Sequence, residues 1–105
     1  MNVIEARTFR ERLMGLIPYR EWEKDDLLLF RHCRSIHTFF MHFPIDVIMV
    51  DRHDRIVRLE KGMKPGKVLV GCMGITCVYE ARAGFIGRYS LQAGDLFPGT
   101  AKNGL

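Results

Sequence analysis

Five polar side chains in this sequence have types that could do chemistry: His37, Thr38, Asp46, Arg12 and Glu80. An imidazole such as His37 can act as a general base or hold a ligand near neutral pH. Asp46 could orient that imidazole or accept a hydrogen bond from a ligand, with the Thr38 hydroxyl as a further polar contact. Arg12 could grip an anion bidentately, or pair with Asp46 or Glu80. Each also has a structural reading. His37 can be a neutral core histidine with both nitrogens bonded, and Arg12 can belong to a buried ion pair. For Asp46 the favoured role is accepting backbone N–H bonds in the bend that Pro44 creates. For Glu80, flanked by Tyr79 and Ala81, the favoured role is a partly exposed strand carboxylate.

Three of these residues lie in one run, SIHTFFMHFPIDVIMVD, residues 35–51, which is otherwise almost wholly apolar. Burying such groups is unfavourable unless each finds a partner, so they are either satisfied in a polar network or used. The run reads as two strands split by Pro44, from Ser35 to Phe43 and from Ile45 onward. Neither strand has a cleanly polar face, which predicts cover on both sides or a second face lining a cavity. Phe39, Phe40, Phe43, Met41 and Met49 are expected to be core rather than a pocket wall. Asp51-Arg52-His53-Asp54 is a turn, and the strand returning from Ile56 is half exposed.

The flanking segments must position this run. Val3 to Ala6 reads as a short edge strand. Thr8 with Glu11 makes a capping box for a helix carrying Phe9, Leu13, Leu16 and Ile17, weakened at Gly15 and ended at Pro18. Leu27 to Phe30, Lys67 to Val70 and Thr76 to Arg82 read as strands, with Val78 and Glu80 on one face. Residues 84–90 could hold one helical turn, and Gly94-Asp95 turns the chain into Leu96-Phe97. One domain over residues 1–97 is expected, with a flexible polar tail over 98–105.

Composition narrows the classes. A chain of 105 residues, 48% of them hydrophobic, has the makings of one modest core. No run approaches the roughly 18 apolar residues of a membrane helix. The first ten residues place charges before any apolar stretch, so a cytoplasmic location is expected. The net charge of +4 is a mild excess; a solvated basic surface accounts for it, and no nucleic-acid motif accompanies it. Cys33, Cys72 and Cys77 are expected to be reduced thiols, with a Cys72–Cys77 bridge left open by Gly74 between them. Cys-x4-Cys supplies only two ligands, so no metal is expected. No cofactor is expected either, since the glycines lack phosphate-loop spacing.

Four blocks occur in order along most of the chain: Ala6-x-Thr8 with Arg12-x-x-Gly15-Leu16, the run 35–51, Pro65, and Val78-Tyr79-Glu80-Ala81-Arg82-Ala83-Gly84 leading to Gly94-Asp95. With these the chain resembles the domain of unknown function family 192, a group of small bacterial and archaeal proteins. The resemblance implies an α+β fold: β-rich, mostly antiparallel strands in a small barrel-like sheet, with one or two short helices. It implies no reaction. The chain departs from the family in having His53-Asp54 where relatives often carry Asp-Gly, and Ile17 where Met is usual. Many relatives resemble exported proteins.

Three functions from different classes fit the residues. The reading adopted is a binding or accessory module whose pocket is lined by the strands between Ser35 and Asp51, with His37, Thr38, Asp46, Arg12 and Glu80 as ligand-binding candidates. One alternative is a hydrolase-like enzyme using His37 with Asp46, although no motif supplies a nucleophile. The other is a protein-partner domain whose polar core is purely structural. The expected partner is a small ligand or a protein; membrane and nucleic acid are disfavoured.

Overall fold

The computed structural model describes residues 2–6, 23–39 and 41–97. The helix expected after Thr8, with Arg12 in it, and the tail beyond Phe97 lie outside them. Among the described residues the chain runs β1 (Asn2–Glu5), β2 (Asp26–Arg31), β3 (Ser35–His37), β4 (Ile45–Asp51), β5 (Ile56–Met63), β6 (Val68–Val70), β7 (Ile75–Arg82) and α1 (Phe85–Arg88). Five strands form one sheet in the order β1-β2-β7-β4-β5, and β3 pairs with β6 in a separate two-stranded sheet. All pairings are antiparallel except that of β1 with β2.

Alternation in the central strands sorts side chains into two cores. Leu28, Phe30, Val47, Met49 and Val78 face one way, and Ile36 and Leu69 of the small sheet pack against them. Leu27, Leu29, Ile48, Val50, Tyr79 and Ala81 face the other, under Phe85 and Ile86 of α1 and Phe97. Tyr79 and Phe97 meet edge to face at 4.7 Å, an arrangement that suits the ring quadrupoles. Every residue of β4 but the last is buried, as a strand covered on both faces requires. Asp51 closes the hairpin to β5 by accepting the N–H groups of His53 and Arg55 at 2.8 and 3.0 Å, and these bonds hold its carboxyl below the usual carboxylate range.

Two expectations about the architecture are corrected. The sheets do not close into a barrel: β6 pairs with β3, not with its chain neighbour β5. The first strand of the run 35–51 is also shorter than expected, ending at His37 instead of Phe43. The bonds of Thr38 account for the early end of β3. Its backbone carbonyl accepts from Met41 and Gly66, its N–H donates to the Lys67 carbonyl, and its hydroxyl bonds the same loop. The chain therefore turns at Thr38 instead of extending, and carries the loop before β6 with it.

Candidate functional site

Thr38 is fully buried. Its hydroxyl donates to the Lys64 carbonyl at 2.7 Å and accepts the Lys67 N–H at 2.8 Å. A buried hydroxyl with donor and acceptor both engaged carries no unmet polarity. It fastens residues 64–67, the link between β5 and β6.

Asp46, 1% exposed, does a similar job on the other side of the link. One carboxylate oxygen accepts the Gly62 N–H at 2.8 Å. The other accepts the N–H groups of Gly84 and Ile86 at 3.2 and 2.8 Å. The expected partners at the Pro44 bend are thus replaced by backbone groups from two distant segments. Gly62 has φ +61° and sits where the β4–β5 register shifts between Ile45 and Val47. That is a bulge whose positive φ glycine tolerates and whose unpaired N–H needs an acceptor. The bonds from Gly84 and Ile86 cap α1 from outside the helix, since Gly84 has no side chain to do so.

Past the bulge Met63 still pairs with Ile45 of β4 before β5 ends, and between β5 and β6 lies an open cleft of about 360 Å³. Arg58, Glu60, Lys61, Lys64, Lys67 and Val68 stand around it. The cations outnumber the carboxylate, and Glu60 is itself 3.6 Å from Arg58. Among the described residues, no aromatic ring and no side chain of the run 35–51 lines it. In the sequence these lysines have the look of solvated charge alone, because their gathering depends on a bulge and a loop anchor that no local spacing reveals.

The remaining candidates stand elsewhere. His37 is half-buried; its Nδ1 accepts the Phe39 N–H at 3.2 Å, and the two rings stack at 5.1 Å. Glu80 is buried at 2% exposure, which corrects the expectation of a partly exposed carboxylate. It sits in β7 between Leu28 of β2 and Val47 of β4, in the middle of the sheet, so neither face reaches water. Among the described residues its Oε1 has no hydrogen-bond partner, and burial pushes its carboxyl up to about 8. Arg12 lies outside the described residues, so its pairing with Asp46 or Glu80 is not described. Cys33, Cys72 and Cys77 are free thiols.

These features define a small β-rich α+β domain built from two separate sheets, with a cationic cleft where the sheets fail to join. The chain belongs to the domain of unknown function family 192, described as an uncharacterized ACR, whose model matches residues 1–98. No curated protein matches it. A solved protein of unknown function from Novosphingobium aromaticivorans DSM 12444 shares the fold, with a TM-score of 0.79 and 21% identity over 90% of this chain and 71% of that one. So does a protein from Sinorhizobium meliloti 1021, described as a "putative transcription regulator", at a TM-score of 0.80 and 20% identity over 90% of this chain and 78% of that one. No helix among the described residues is long and apolar enough to cross a membrane.

Proposed function

We propose that the protein is a binding module whose ligand is anionic and sits in the cleft between β5 and β6. One observation carries the reading: among the described residues, Arg58, Lys61, Lys64 and Lys67 line a concave site beside a single carboxylate, Glu60, which is paired with Arg58. Like charges held together repel, so an anion that enters relieves them as well as pairing with them. On this reading Thr38 and Asp46 hold the cleft in shape through the backbone of residues 62–67 and do not touch the ligand. The hydrolase alternative has less support, because the Asp46 oxygens are taken by backbone N–H groups and His37 Nδ1 by Phe39.

Titration calorimetry with polyglutamate tests it. Lys64→Ala with Lys67→Ala should weaken binding at least tenfold, whereas Lys24→Ala with Arg52→Ala, which removes equal charge elsewhere, should change it less than twofold. Equal losses from both pairs would reduce the binding to net charge and remove the cleft.

A further inference from the structure

We infer that the cleft receives an extended acidic segment of a partner protein, which adds as a strand to the open edge of β6. The inference rests on the anionic-ligand reading and names the class of ligand.

The backbone of β6 carries it. Its register with β3 is Ser35↔Val70, Ile36↔Leu69 and His37↔Val68. The ladder extends beyond these pairs through the bond from Gly71 N–H to the Arg34 carbonyl at 2.7 Å and from Thr38 N–H to the Lys67 carbonyl at 2.8 Å. Bonded and non-bonded pairs alternate in an antiparallel ladder. The bonded positions are therefore 34/71, 36/69 and 38/67, and the N–H and C=O groups of Val68 and Val70 point away from β3. Among the described residues nothing pairs with them. The side chains beside them are apolar and open to solvent, Val68 at 60% and Val70 at 61% exposure.

Edge strands of this kind are normally blunted by a proline, an inward charge or a covering segment. The outer edge of β5 is partly covered in that way: Ile56 exchanges backbone bonds with Gly94 and Asp95, and Arg55 bridges to Leu96. That cover stops before Arg58, where the cleft begins. β6 has none. An added strand would find backbone partners at Val68 and Val70, apolar contact from the same two side chains, and cations from Lys61, Lys64 and Lys67 beside it. Charge complementarity makes that strand acidic. A single-stranded nucleic acid fits less well, because among the described residues no aromatic ring lines the cleft to stack bases.

The test uses the whole chain and an N-acetylated, amidated heptapeptide of alternating valine and glutamate, followed by fluorescence anisotropy. In the expected register, valines opposite Val68 and Val70 turn their N–H groups toward β6, and glutamates turn theirs away. N-methylating the valine amides should abolish binding, and N-methylating the glutamate amides should change it less than threefold. Val70→Pro, which removes an N–H that makes no bond to β3, should weaken the peptide at least tenfold. If both methylated peptides bind as the parent does while Lys64→Ala with Lys67→Ala weakens all three, the cleft stands and strand addition is wrong. If none binds and polyglutamate shows no dependence on Lys64 and Lys67, both readings fall. Oligothymidylate binding as tightly as the parent peptide would overturn the inference in favour of a nucleic acid.

Discussion

At the scale of single residues, Asp46 and Thr38 are buried polar groups that are fully engaged, whereas Glu80 is buried with its Oε1 unpartnered among the described residues. Asp46→Ala would orphan three backbone N–H groups, at Gly62, Gly84 and Ile86. The expected loss is about 2–4 kcal/mol of unfolding free energy, readable by urea denaturation. Thr38→Val keeps the shape and loses the hydroxyl; about 1–3 kcal/mol should go, with faster amide exchange at Lys67, whose N–H bonds that oxygen. Glu80 behaves differently. Its carboxyl is raised from 4.5 to about 8 in the folded state, so the folded chain holds a proton that the unfolded chain has released. Between those values stability should fall as pH rises, and it should level off above about 8. Glu80→Gln should remove that slope and leave the variant more stable than wild type at pH 8, by a few kcal/mol. Denaturation midpoints at pH 5, 6.5 and 8 decide it: parallel curves for both proteins would contradict a raised carboxyl.

At the scale of elements, most strands and the β4–β5 hairpin were legible in the sequence, and the other strand partners were not. β2, β4, β5 and β7 follow from apolar runs and turn residues, and of the two readings open for β4, cover on both faces or a face lining a cavity, the first is the one found. β3 ends early because the Thr38 hydroxyl bonds a loop about thirty residues onward, a contact with no trace in local alternation. Glu80 looked exposed for a related reason. Only the central place of β7 buries it, and sheet order is not written in the strand itself. The role of Asp46 as an acceptor of backbone bonds was legible, while its partners come from Gly62 and α1. Glycine has its own element-scale test. A Cβ on Gly71, just past β6, would collide with Ile75 and lie 2.7 Å from the Met49 sulfur. Gly71→Ala should therefore cost about 1–3 kcal/mol of stability through overpacking. A calorimetric midpoint equal to that of wild type would show that the core yields there freely.

At the scale of the whole molecule, the gap between the two sheets is the main consequence of these small contacts. A bulge held by Asp46 and a loop held by Thr38 keep β5 and β6 apart, although only residues 64–67 link them. The polar residues that mark the run 35–51 thereby shape a cleft that none of them lines. Electrostatics follow from the same arrangement. Binding of an acidic ligand should weaken as salt rises, since its cations are exposed and the screening length falls to about 10 Å at 0.1 M. The most direct measurement is an amide-resolved NMR titration of the chain with the alternating valine–glutamate peptide. Shifts should concentrate between Gly62 and Val70, with His37 and its neighbours following only where they pair with β6. Shifts centred on the His37 ring and residues 41–46, with the amides of residues 62–70 unmoved, would contradict it.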